Sequence, residues 1–254
     1  MRGRFPLGAT ALPGGRCGFR VWAPHREEVA VHVLSPEDRM EALAKDERGY
    51  HETVLDGVGP GADYLFRLDQ GVERPDPASR SQPQGVHGPS RVVKLEGIGR
   101  EVGWFGLPLS RYVIYELHVG TFSPEGTFSG VAAALDRLRD LGITAVELMP
   151  VARFPGERNW GYDGVYPFAV QDSYGGAAGL ASLVRACHER GLALILDVVY
   201  NHLGPEGNYL ADFGPYFTDR YHTPWGPAVN FDGADSDGVR DYFIQNALYW
   251  LEAF

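Results

Sequence analysis

The segment Gly191-Leu192-Ala193-Leu194-Ile195-Leu196-Asp197-Val198-Val199-Tyr200-Asn201-His202 decides how the second half of this chain is read. From Leu192 to Val199 it is almost wholly apolar, as a strand covered on both faces must be. Before it, Ala177–Arg190 places Leu180, Leu183, Val184 and Cys187 on one helical stripe, and Gly191 supplies the stop. Helix followed by buried strand is the repeat of a parallel α/β sheet. It recurs upstream: Val113–Val119 predicts a first strand, and Thr127–Leu141 a helix with Val131, Leu135, Leu138 and Leu141 inward. Thr144–Met149 predicts the second strand. Downstream, Ser236 or Asp237 can cap a third helix with Val239, Phe243, Ala247, Leu248 and Leu251 on one face. The order predicts parallel strands with right-handed crossovers.

The first hundred residues read differently. Short alternating or apolar runs at Gly18–Trp22, Val29–Leu34, Tyr50–Leu55, Asp63–Leu68 and Arg91–Lys94 are separated by Gly and Pro turn clusters. That spacing predicts an all-β sandwich. Arg74–Pro89 is rich in Pro, Ser and Gly and is expected to be an ordered loop or linker. The division expected is a sandwich over 1–97, a linker over 98–111, and the start of a (β/α)8 TIM barrel over 112–254. Three strand–helix units fall short of the eight that such a barrel needs. The expectation is that this is the N-terminal part of a longer protein.

Composition narrows the partners. The formal net charge is −10, which works against a polyanionic partner, so neither nucleic acid nor an anionic membrane surface is expected. No apolar run reaches the roughly 20 residues of a membrane span. The N-terminus lacks the apolar core of a signal peptide. Cys17 and Cys187 are too few for a disulfide framework, and a cytoplasmic location fits best. Gly175–Gly179 lacks the spacing of a phosphate cradle, and no His/Cys set has zinc spacing. No cofactor is expected. The oligomeric state is left open.

In parallel α/β folds chemistry gathers beyond the carboxyl ends of the strands. After the second strand, Pro150–Gly175 far exceeds the usual connection of about 2–6 residues. It holds Trp160, Tyr162 and Tyr166. The stretch after the third strand holds Tyr209, Tyr216, Phe217, Tyr221 and Trp225. Sugars offer apolar C–H faces to such rings and hydroxyls to Asp, Asn, His and Arg. The alternative is that these rings form a small core for the loops themselves. Asp197, in an apolar strand, is either hydrogen-bonded in a site or paired for structure. His202 is either a rim ligand or a solvated loop residue. Glu116, His118 and Glu147 are strand residues that could equally be packing or pairing inside a barrel.

At these residues the chain resembles glycoside hydrolase family 13, the α-amylase family. Asp197-Val-Val-Tyr-Asn-His202 is similar to that family's motif at the end of the third barrel strand, and Gly161-Tyr162 to the region after the second. The resemblance implies that Asp197 supports the catalytic centre, that Tyr162 stacks on the sugar in subsite −1, and that His202 hydrogen-bonds it. Asn201 matches a position that binds calcium in part of the family, and no metal is carried over to this chain. Trp160 is grouped with the glucan-binding set.

Longer motifs narrow the resemblance to the family branch that acts on maltooligosyltrehalose. They are Tyr115–Phe122, Glu147–Val151, Phe154–Tyr166, Asn201–Tyr209 and Phe213–Gly226. Trp22-Ala-Pro24 resembles the sandwich that precedes the barrel there. The implied function is retaining hydrolysis of the α-1,4 bond next to a terminal trehalose, with maltooligosyltrehalose or a related α-glucan as substrate. A glycogen branching enzyme, an amylase-type hydrolase and a non-catalytic glucan-binding protein are the alternatives. Retaining glycosidases use two carboxyl groups roughly 5 Å apart. The family's nucleophile Asp and acid/base Glu follow strands four and five, so both are expected beyond Phe254 and no residue here is assigned a catalytic role.

Overall fold

The computed structural model describes residues 5–94 and 104–254. The strands β1 Gly8–Leu12, β2 Arg16–Trp22, β3 Val29–Val33, β4 Arg39–Ala42, β5 Ala44–Lys45, β6 Tyr50–Asp56, β7 Asp63–Leu68, β8 Glu73–Arg74 and β9 Ser90–Arg91 come first. They form two antiparallel sheets, ordered β1-β2-β6-β5 and β4-β3-β7-β8, with β9 on β7. The expected sandwich is present. Period-two burial is clearest in β3, where Val29, Val31 and Val33 are buried and Ala30 and His32 less so. The core between the sheets is aromatic: Phe19 meets Tyr64 edge-on at 5.0 Å between ring centroids.

The last predicted sandwich strand, Arg91–Lys94, is only the two-residue β9, shifted one residue earlier. The Pro-rich stretch after β8 is packed inward, not draped over the surface. Asp76, Ser79 and Gln82 are fully buried. The Asp76 carboxylate accepts from the Tyr64 hydroxyl (2.6 Å) and from the Ala78 N–H. Burial raises its pKa to about 6, against the pull of the Tyr64 and Ala78 hydrogen bonds and of Arg80. Of the linker expected over 98–111, residues 98–103 lie outside the described residues, and Leu109–Arg111 forms a single 3-10 turn.

The second architecture begins with β10 Ile114–Leu117, a helical turn α1 Val119–Phe122, and helices α2 Phe128–Ala133 and α3 Leu135–Asp140. Then come β11 Ala145–Leu148, the hairpin β12 Ala152–Arg153 and β13 Tyr166–Val170, helix α4 Gly176–Glu189 and β14 Ala193–Leu196. A turn α5 Leu210–Phe213, the hairpin β15 Phe217–Thr223 and β16 Gly226–Val229, and helix α6 Ser236–Ala253 follow. Strands β10, β11 and β14 pair in parallel with Glu116, Glu147 and Ile195 in register. Their carboxyl ends therefore share one edge. Among the described residues β10 and β14 each keep one edge unpaired, so this is three strands of an open barrel.

Three expectations need correction. The single helix over Thr127–Leu141 is two short ones, broken at Ala134 (φ −97°, ψ −4°), and Leu141 points to solvent at 73% exposure. Thr127 does cap it, accepting from Gly130 N. The third helix is preceded by Asp235 in the left-handed region, with no side-chain cap. Its buried face matches the one read from the sequence only in part: Val239 and Phe243 are buried as expected, but Leu248 and Leu251 are exposed (Leu251 at 81%), and Tyr242, Asn246 and Tyr249 are buried.

Candidate active site

The shared carboxyl edge of the parallel strands holds the site. Asp197 is the first residue past β14. Its N–H still bonds Leu148 O (3.0 Å), which fixes its backbone to the end of β11. Its carboxylate is half-buried and, among the described residues, takes part in no hydrogen bond or ion pair. It is thus not the structural salt bridge allowed by the sequence.

Tyr162 is held by local chemistry. The Asn159 side chain accepts from Gly161 N (2.7 Å) and Asp163 N (3.3 Å), and its amide donates to Asp163 Oδ2 (2.8 Å). This Asx-type turn sets the loop. Gly161 sits at φ +101° with Pro150 O where a Cβ would be, so only glycine fits. The Asn159 backbone carbonyl is held too: His118 Nε2 donates to it (2.7 Å), and the Tyr174 hydroxyl lies 3.1 Å from the same nitrogen. Tyr162 is 38% exposed. Its phenol pKa is raised by partial burial and by the negative charges of Asp197 and Glu116. A cleft lined by Pro150, Gly161, Asp197, Tyr200, Asn246 and Trp250 opens beside them.

The remaining candidates divide. His202 is buried; its ring lies flat on Trp225, with centroids 5.0 Å and planes 18° apart. Its Nδ1 is buried without a hydrogen-bond partner among the described residues. Trp160 is 78% exposed and Asn201 is exposed. The loops after the second and third strands are tied by Gly204 N to Gly164 O (3.1 Å). Of the loop aromatics, Tyr166 and Tyr216 are core residues, the first bonded to Val86 O. Tyr162, Trp160, Tyr221 and Trp225 face solvent. Exposed rings on these loops, with Trp225 stacked on His202 and, at a strand end, an Asp197 carboxylate unpaired among the described residues, offer stacking faces and polar groups that suit a sugar better than a purely apolar ligand.

Sequence reading did not join His118, Asn159 and Tyr174, which lie on three separate segments. The Asn159-x-Gly161-x-Asp163 spacing was the available signal for the turn.

Comparison with known proteins agrees with this geometry. Residues 75–248 match the family "Alpha amylase, catalytic domain", and residues 6–79 match "Carbohydrate-binding module 48 (Isoamylase N-terminal domain)". The chain is 48% identical to the malto-oligosyltrehalose trehalohydrolase of Saccharolobus solfataricus, covering 93% of this chain and 42% of that protein. It is 45% identical to that of Deinococcus radiodurans, covering 99% and 41%. A 1,4-alpha-glucan branching enzyme of Corynebacterium jeikeium is 29% identical over 98% of this chain. The crystal structure of a putative alpha amylase from Salmonella typhimurium superposes with a TM-score of 0.89 at 41% identity, covering 97% of this chain and 42% of that one. The chain thus spans about two fifths of the length of the curated trehalohydrolases it matches. With the catalytic-domain match running over most of its residues, the parallel strands in register and the site at their carboxyl ends, the chain belongs to the α-amylase family of glycoside hydrolases.

Proposed function

We propose that this chain supplies the glucan-facing part of a malto-oligosyltrehalose trehalohydrolase, which hydrolyses the α-1,4 bond next to the terminal trehalose and retains the anomeric configuration. The observation that carries the reading is the gap in identity: 48% and 45% to two trehalohydrolases against 29% to a branching enzyme, over nearly the same residues. Tyr162 offers its ring to the sugar beside the scissile bond, and His202 and Asp197 bind its hydroxyls and fix its orientation. Trp160 extends the stacking surface. Asn201, exposed at the rim, completes the polar edge. The nucleophile and the proton donor belong to the part of the relatives' length that this chain does not match, since two carboxyl groups about 5 Å apart are required across the bond. Two free, buried cysteines favour a reducing compartment, and we place the protein in the cytoplasm. No helix among the described residues is long and apolar enough to cross a membrane.

The test is product analysis with the full-length protein. Free trehalose from maltooligosyltrehalose supports the reading. New α-1,6 branches in amylose, without trehalose release, would assign a branching enzyme instead.

A further inference from the structure

Helix α6 has two working faces. One carries Gly238, Asp241, Tyr242, Gln245 and Tyr249 at helical spacing and lies on the sandwich. Tyr50 donates its hydroxyl hydrogen to Asp241 Oδ2 (2.7 Å), and Gln245 Nε2 donates to the same oxygen (2.7 Å). Gln245 Oε1 accepts from Leu7 N (2.8 Å), and Tyr242 donates to Pro77 O (2.8 Å). Gly238 leaves room for the Trp22 indole, which a Cβ at that position would overlap. The adjoining face meets the site. Tyr200 donates to Asn246 Oδ1 (2.6 Å), which also accepts from Trp250 Nε1 (3.2 Å), and the Tyr200 ring packs on Phe243 at 5.1 Å. Tyr200 stands between Asp197 and His202. One helix therefore joins the sandwich to the backbone that carries both residues.

The sandwich has no Phe, Tyr or Trp ring to spare for a ligand. Its six aromatic residues before position 97 are Phe5, Phe19, Trp22, Tyr50, Tyr64 and Phe66, and the most exposed is 7% accessible. Glucan recognition on a module surface uses an open aromatic face against the sugar C–H bonds. Here every such face is spent in the sandwich core or toward α6.

We propose that the sandwich is a brace for α6, not a second glucan site, and that through Asn246 and Tyr200 it sets the position of the Asp197–His202 segment. Tyr50 and Asn246 are then positioning residues, and Trp22 fills the space beside Gly238. The proposal departs from what the match to a carbohydrate-binding module would suggest, and its site rests on the reading given under Proposed function.

The test uses the full-length protein and whichever α-glucan the wild type turns over, so failure to release trehalose counts against that reading and leaves the brace to be judged separately. Gly238→Ala places a methyl group against Trp22, remote from the glucan. Its kcat, measured well below the melting transition, should fall roughly 10-fold while KM stays within about 3-fold, as a small misplacement costs rate before binding. Combining it with Trp22→Val, which vacates the space, should restore about half or more of that kcat while Tm stays low. A lower Tm with unchanged kcat in Gly238→Ala overturns the brace. Should Gly238→Ala not fold, Tyr50→Phe removes one hydrogen bond and keeps the ring; a kcat about 2- to 5-fold lower supports the brace, and an unchanged one overturns it. Hydrogen exchange with and without maltoheptaose tests the other half. Protection should rise in 158–164 and 197–209 and stay unchanged at Arg39–Ala42 and Ala44–Lys45, at the far side of each sandwich sheet. New protection there overturns the claim that the sandwich binds no glucan.

Discussion

The His202 imidazole lies parallel to the Trp225 indole, 5.0 Å between centroids. Trp225 belongs to the turn of the β15–β16 hairpin and keeps 65% of its surface open. The stack covers one face of the imidazole and holds its plane. Removing the indole with Trp225→Ala should lower kcat/KM of the full-length enzyme about 5- to 10-fold, in keeping with an aromatic pair worth roughly 0.5–1.5 kcal/mol. Thermal melting should barely move, because the ring contributes little to the core. Initial rates and a melt on the same preparation check both parts.

His202→Ala removes the ring itself. A placed polar contact to the reacting sugar is worth of order 2–4 kcal/mol in the transition state, so kcat/KM should fall by two to three orders of magnitude. Unchanged kinetics would remove His202 from the site.

Gly161→Ala tests the loop that presents Tyr162. The substitution forces an L-residue into the left-handed region and drives its Cβ onto Pro150 O. Stability should drop by roughly 3 kcal/mol, and maltooligosaccharide affinity should fall with it because Tyr162 is the next residue. Asn159→Ala should show the same pairing more mildly, at about 1 kcal/mol, through loss of the turn's hydrogen bonds. Denaturant melts and calorimetric titration with maltoheptaose measure the two effects.

A pH dependence comes from the sandwich. His32 lies between Glu73 (Nδ1 to Oε1, 2.7 Å) and Asp38 (Nε2 to Oδ1, 3.1 Å). Burial opposes the imidazolium, but hydrogen bonds and charge from Asp38 and Glu73 outweigh it, and the pKa is raised above 6.5. A raised folded-state pKa stabilises the fold fully below the unfolded value of about 6.5, and the gain is lost as pH climbs through the folded pKa. The Tm difference between wild type and His32→Gln should therefore be largest near pH 5–6 and shrink on the alkaline side. A difference that grows with pH would contradict this.

The parallel strands were legible from their unbroken apolar runs, as in Leu192–Leu196, although here Leu192 and Ala193 are buried and Leu194, Ile195 and Leu196 only partly so. Asp197 stands out in the sequence as a carboxylate at the end of an apolar strand, whereas Tyr162 and His202 are picked out as candidates by the resemblance of their motifs to the α-amylase family. Other features lie outside the local pattern. Ala134 carries no breaking signal, yet the helix divides there, since packing overrides propensity. The buried face of α6 was read only in part: Val239 and Phe243 are buried as expected, but Tyr242 and Asn246 count as polar in isolation. They are buried because their polar atoms find Pro77 O and Tyr200 on distant segments. The hold of His118, backed by the Tyr174 hydroxyl, on the Asn159 backbone carbonyl is non-local in the same way.

The most direct measurement is kcat/KM of the full-length protein for maltooligosyltrehalose and for a plain maltooligosaccharide with the same number of glucose units, followed by released trehalose and by new reducing ends. A trehalohydrolase should favour the trehalose-ended substrate by about 10-fold or more, the scale on which one well-placed set of subsite contacts discriminates. Equal values, or a preference for the plain maltooligosaccharide, would contradict the assignment.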